Sequence, residues 1–255
     1  MVNPASAAYV MWYRQIKRFL RARPMLVGSI VQPLFWMVFL GLGFTSALRG
    51  KPVFAGVDYL TFFAPGVVLM AVFFTAFFSG ISVIWDREFG FLKEILVAPA
   101  SRTATILGRI LGDATVALLQ GIAVLAIAYL LVRSLNPLGF ALTLVAAFFT
   151  ALQFTSLGIT IASKLRSFEG FQLINTFIAM PVIFLSGAFY PVSQLPGLAA
   201  QLAYLNPLVY GVDLAREALT GLGALPPTLN LIALLGSSAL LVGIASWSFN
   251  RATLE

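Results

Sequence analysis

Six apolar stretches, each with no Asp, Glu, Lys or Arg at its centre, leave this chain few ways to fold. They run over 25–48, 59–85, 107–132, 138–163, 171–189 and 228–249. A stretch of about 20 residues in helical form crosses a hydrocarbon core of about 30 Å. A helix also pairs its own backbone N–H and C=O groups where no water can reach them. Composition agrees: charged residues make up 10% of the chain and hydrophobic residues 60%, with a mean hydropathy of +0.96. Soluble domains carry about 25% charged residues. The expectation is an all-α integral membrane protein of six transmembrane helices, a single domain over 1–255. The first apolar run begins only at Met25, behind a long aromatic segment, so no cleavable leader is expected.

The basic residues orient the spans. Arg14, Lys17, Arg18, Arg21 and Arg23 precede the first span, and Arg87, Lys93, Arg102 and Arg109 lie between the second and third. Lys164 and Arg166 follow the fourth, and Arg251 the sixth. The other side holds Arg49, Lys51, Arg133 and Arg216. The positive-inside rule makes the richer side cytoplasmic, with both termini inside. The net charge of +7 is then a matter of topology rather than of nucleic-acid binding. The segment 5–23 puts Tyr9, Trp12, Tyr13, Ile16 and Phe19 on one helical face and Arg14, Lys17, Arg18 and Arg21 on the other. That pattern suits an interfacial helix among the headgroups of membrane lipids.

The densest charge between two spans falls at 86–100. Arg87, Glu88, Lys93 and Glu94 share one arc at helical spacing, and Phe89, Leu92, Ile95 and Leu96 share another. Pro99 ends the amphipathic helix so predicted, and Gly90 weakens its start by roughly 1 kcal/mol. Such a helix either docks on a cytoplasmic partner or lies on the membrane surface. Within the spans, Gln32-Pro33 predicts a kink, and Gly108-x-x-x-Gly112 predicts a close helix contact. Arg109 and Asp113 are four apart, so they read as a structural ion pair. Phe62, Phe63, Phe73, Phe74, Phe77 and Phe78 crowd the second span. The fifth carries the polar residues Gln172, Asn175 and Thr176. Phe73 and Phe77 with this polar face are the candidate lining of a substrate path. Prolines and glycines break up 190–227, which reads as short external or re-entrant helices before the last span. There Asp213 and Arg216 are spaced to pair and to brace an external gate.

Several chemistries are ruled out by what the chain lacks. It has no His and no Cys, and its carboxylates are scattered, so no nucleophile–base pair or metal cluster can be assembled. No Gly-x-x-x-x-Gly-Lys-Ser/Thr phosphate loop is present. A non-ATP-driven channel or secondary transporter stays open as an alternative from another class, although such proteins usually carry ionisable residues at mid-span, which these spans do not.

The segment from Arg87-Glu88-Phe89-Gly90-Phe91-Leu92-Lys93-Glu94 to Ala98-Pro99-Ala100-Ser101-Arg102 resembles the cytoplasmic loop motif of type-2 ABC exporter permeases. Pro181 to Pro191 with its central Leu185-Ser186-Gly187, followed by Leu195-Pro196, resembles that family's exit from the fifth span. Asn206-Pro207-Leu208-Val209-Tyr210-Gly211-Val212-Asp213 resembles the external segment before its last span. The daunorubicin-resistance and nodulation-factor exporters form the branch it is most similar to. Lys93 stands where many members carry an acidic residue. The resemblance implies a homodimer in the cell membrane with two ATP-binding subunits below it. The loop would be a coupling helix, with Arg87, Glu88, Phe89, Leu92, Lys93, Glu94 and Arg102 as contacts to the ATPase. ATP and Mg would be bound by that subunit, leaving no cofactor in this chain. The cargo would be an amphipathic or lipid-like compound, or alternatively a glycan.

Overall fold

The computed structural model describes residues 3–48, 56–90, 101–165 and 167–251, with 23–27 by backbone alone, and its regular elements are helices. In order they are α1 (Pro4–Arg21), α2 (Arg23–Phe35), a π-helical stretch (Trp36–Leu42), α3 (Gly43–Ala47), α4 (Tyr59–Phe78), α5 (Ile81–Glu88), α6 (Arg102–Leu131), α7 (Phe140–Lys164), α8 (Phe168–Phe184), α9 (Gly197–Leu205), α10 (Pro207–Thr220) and α11 (Pro227–Asn250). Among the described residues, five helical segments are long and apolar enough to cross a membrane: Gly28–Ala47, Tyr59–Glu88, Arg102–Leu131, Pro137–Lys164 and Pro227–Asn250. The fifth expected span, α8, is a shorter apolar helix of 17 residues.

Helix α4 is apolar all round, and a helix of that kind belongs at the centre of a bundle. It is buried from Tyr59 to Phe73 and again at Ala76 and Phe77, with α6, α7, α10 and the first span around it. Lipid tails are as apolar as leucine, so close approach and interhelical hydrogen bonds must supply the cohesion. The junction between α4 and α5 provides the first. A Cβ on Gly80 would lie 2.4 Å from the Gly158 carbonyl oxygen, and one on Gly158 would lie 2.3 Å from that of Phe77. Gln153 of α7 provides the second, donating to the Leu234 carbonyl at 3.1 Å and to the Ser237 hydroxyl at 2.8 Å on α11.

The kink expected at Gln32-Pro33 takes a specific form. Pro33 lacks a ladder donor, and the helix widens into the seven-residue π stretch from Trp36. At the opposite end of the bundle, α10 reaches inward. Its Ala218 touches Gly139 beside the turn between α6 and α7, while Gly211 lies against Thr150, well along α7. Asn206 starts α10 by accepting from the Leu208 N–H at 3.1 Å, and it donates to the Val182 carbonyl at 2.7 Å.

Candidate functional site

The sequence spacing pairs Arg109 with Asp113, but the structure pairs it with Asp86. Arg109 Nη1 donates to Asp86 Oδ2 at 2.7 Å and its Nη2 to Ser82 Oγ at 2.6 Å. Arg14 of α1 donates to the other oxygen of Asp86 at 2.8 Å. One carboxylate at the end of α5 thus binds α1 and α6 together. Asp113 turns instead to α1, where Gln15 Nε2 donates to it at 3.1 Å.

These charges meet because α1 sits directly on the backbone of α6. A Cβ on Gly108 would lie 2.1 Å from the Ala8 carbonyl oxygen, and one on Gly112 would lie 2.8 Å from Gln15 Cβ. The close contact expected of Gly108-x-x-x-Gly112 is therefore the seat of α1. Ala7, Met11 and Gln15 form the buried seam of α1, and Trp12 Nε1 donates to Thr115 Oγ1 at 3.1 Å. Tyr9 and Tyr13 stack on each other with their rings exposed.

Arg87, next in the chain to Asp86, holds a third helix. It donates to the Ser163 carbonyl at 2.8 Å and the Leu165 carbonyl at 2.6 Å, at the C-terminal end of α7. Carbonyls there lack helical partners and attract cations. The helix predicted over 86–100 does not run through this point. Helix α5 ends at Glu88, and Gly90 follows with φ +77°, a left-handed residue that closes the end, while 91–100 lie outside the described residues. Glu88, Phe89 and Arg102 are exposed, with Phe89 82% so. Leu92, Lys93 and Glu94 lie outside the described residues.

Asp213 and Arg216, expected to pair, are satisfied separately. Arg216 Nη2 donates to the Gly187 carbonyl at 2.7 Å and its Nε to that of Phe62 at 3.3 Å, with the guanidinium 4.0 Å from the Phe62 ring centroid. It thereby joins α10 to the chain after α8 and to the start of α4. Burial pulls the Arg216 guanidinium down to about 10, while Asp213 and Tyr59 nearby offset part of that. Asp213 accepts from the Ala224 and Leu225 N–H groups at 2.7 and 3.0 Å and from Asn230 Nδ2 at 2.8 Å. It closes the turn between α10 and α11.

The residues expected along a substrate path divide into two sets. Phe73 and Phe77 are buried in the core, where Phe73 meets Phe154 edge-on at 4.6 Å and Phe77 lies 5.9 Å from Phe171 of α8. On α8, Thr176 is exposed, Gln172 is half-buried, and Asn175 is buried with its Oδ1 lacking a hydrogen-bond partner.

A family model described as ABC-2 type transporter matches residues 6–220. Inner membrane transport permease YadH of Escherichia coli (strain K12) is 29% identical over 219 residues, which cover 84% of this chain and 83% of that one. Nodulation protein J of Rhizobium leguminosarum bv. trifolii is 32% identical over 200 residues, 77% of this chain and 74% of that one. A putative transport permease, ycf38 of Cyanophora paradoxa, is 29% identical over 202 residues, 77% and 69% of the two chains. The matched region takes in α1, the Asp86 cluster and Arg216. The chain belongs to the ABC-2 type transporter family, as a multi-pass inner-membrane permease subunit of a transporter.

Proposed function

We propose that two copies of this chain and two copies of an ATP-binding subunit form an exporter for an amphipathic or lipid-like compound. ATP and Mg are held by the partner subunit, since this chain carries no phosphate loop. The segment 86–100 is the coupling element. The observation that carries this reading is the double grip on Asp86, because any displacement of the segment beyond Gly90 pulls on α1 and α6 through that carboxylate. Arg87 passes the same displacement to α7.

The homodimer reading draws support from α8. Gln172 and Thr176 stand beside Leu173, Phe177 and Met180 on its outward side, and polar side chains in a membrane favour contact with another helix over lipid. A second copy of α8 covers them, and the path for cargo runs along Gln172, Asn175 and Thr176. Phe73 and Phe77 back that face through Phe171. Asp213 and Arg216 hold the outer helices that close its exit. Uncharged span centres suit an amphipath better than a glycan.

Proteoliposomes containing this chain and its ATP-binding subunit test the assignment. ATP hydrolysis should rise with a fluorescent amphipathic dye and stay level with a soluble oligosaccharide. The reverse response would assign the chain to glycan export.

A further inference from the structure

A cavity of about 340 Å³ opens between α1, the first span, α4 and α6, remote from the α8 face. That volume lies at the lower end of ordinary ligand pockets, about 300–1,000 Å³. It follows α4 from Ser79 to Val67, a run of about 18 Å at 1.5 Å per residue. The far end is apolar, lined by Trp36, Met70 and Phe74. Midway, Gln120 accepts from the Thr75 hydroxyl and donates to the Ser29 carbonyl at 2.6 Å, so its polar groups are already engaged.

The end nearest the Asp86 cluster differs. Gln15, Arg18 and Asp113 line it. Gln15 is 1% exposed and directs its amide N–H at the Asp113 carboxylate. A carboxylate only accepts, so the amide cannot be turned the other way, and its Oε1 is the atom left buried without a hydrogen-bond partner. Arg18 makes no hydrogen bond or ion pair among the described residues. The cavity thus presents a guanidinium without a hydrogen-bond partner and a carboxylate at the head of an apolar slot.

We propose that this cavity holds one aminophospholipid of the cytoplasmic leaflet, with its phosphate on Arg18, its ammonium on Asp113, and an acyl chain along Met70, Phe74 and Trp36. A phosphate matches a guanidinium in charge and in hydrogen-bond geometry. A primary ammonium brings three donors and a positive charge to the Asp113 carboxylate. A choline headgroup brings no donor, and a phosphatidylglycerol headgroup brings hydroxyl donors but no positive charge to set against Asp113. The lipid sits within one chain, beneath α1, apart from the path proposed for cargo.

The test uses the full-length chain with its ATP-binding subunit in lipid nanodiscs containing a trace of phosphatidylethanolamine with a photoreactive acyl chain. The adduct should map to the peptides bearing Trp36 or Met70 to Phe74. Unlabelled phosphatidylethanolamine should displace it, with phosphatidylcholine and phosphatidylglycerol each about tenfold weaker. Arg18→Gln, at the open end of the cavity, should lower labelling with α1 still seated as judged by its protection from protease. Ala71→Leu, which narrows the slot, should lower it too. Equal competition by phosphatidylcholine would show that the headgroup is not read. Equal competition by phosphatidylglycerol would show that only the positive charge is read. Either result, or labelling confined to the outward faces of α8 and α11, overturns the proposal.

Discussion

Asp86 and Arg109 stand 23 positions apart in the chain and meet at 2.7 Å, with Arg109 only 1% exposed. Arg14 shares the same carboxylate at 2.8 Å. Three helices therefore converge on one charge at the basic end of the bundle, at the first residue of the segment 86–100 assigned to coupling.

Removing one member of this cluster should be worse than removing two. Asp86→Ala leaves Arg109 buried with Ser82 alone, a loss of about 3–5 kcal/mol for an uncompensated buried charge. The double variant Asp86→Leu with Arg109→Met should recover much of that loss. Thermal unfolding of the purified chain in detergent reads the difference. A double variant as unstable as Asp86→Ala would remove the pair from the account.

The seat of α1 makes a sharper comparison between glycines. Gly108→Ala places a methyl group against the Ala8 backbone, which cannot step aside, so α1 should lift and Trp12 fluorescence should shift towards that of exposed indole. Gly43→Ala meets nothing within 4 Å and should be neutral or stabilising by about 0.4–1 kcal/mol. Identical fluorescence and stability for the two variants would contradict the backbone contact between α1 and α6.

How much of this was visible in the sequence depended on range. Long apolar runs and the bias of Arg and Lys mark the spans and the basic end, since both are local properties of the chain. Gly108 and Gly112 announce a close contact, but the helix that fills it lies about a hundred positions away and leaves no local trace. The ion pairs escape local spacing for the same reason. Arg109 with Asp113 and Asp213 with Arg216 satisfy helical spacing, yet in each case groups from other elements supply better geometry. The aromatic run of the second span carries no face preference, because α4 is surrounded on every side, so periodicity could not separate Phe73 in the core from a path lining. Gly90 reads as a weak point in a helix, whereas its left-handed backbone marks the end of α5.

Separate partners for Asp213 and Arg216 have a measurable consequence. Asp213→Ala strands three donors, at about 1–3 kcal/mol for each left buried. Arg216→Ala uncovers the carbonyls of Gly187 and Phe62. The two losses should add to within about 1 kcal/mol in a double-mutant cycle read by thermal unfolding. A double variant more stable than Asp213→Ala alone would restore the direct pair.

The central claim is that the segment following α5 touches the ATP-binding subunit and moves with it. Phe89 is 82% exposed at the start of that segment, and the chain has no cysteine of its own. A single Phe89→Cys therefore gives one chemical handle, with Leu138→Cys, exposed at the opposite end of the bundle, as its control. The deciding measurement is the yield of bifunctional cross-linking from each cysteine to the ATP-binding subunit in the active reconstituted complex, with and without ATP. The account predicts an adduct from Phe89→Cys that changes in yield with nucleotide, and none from Leu138→Cys. An active complex giving no adduct from Phe89→Cys in any nucleotide state would contradict it.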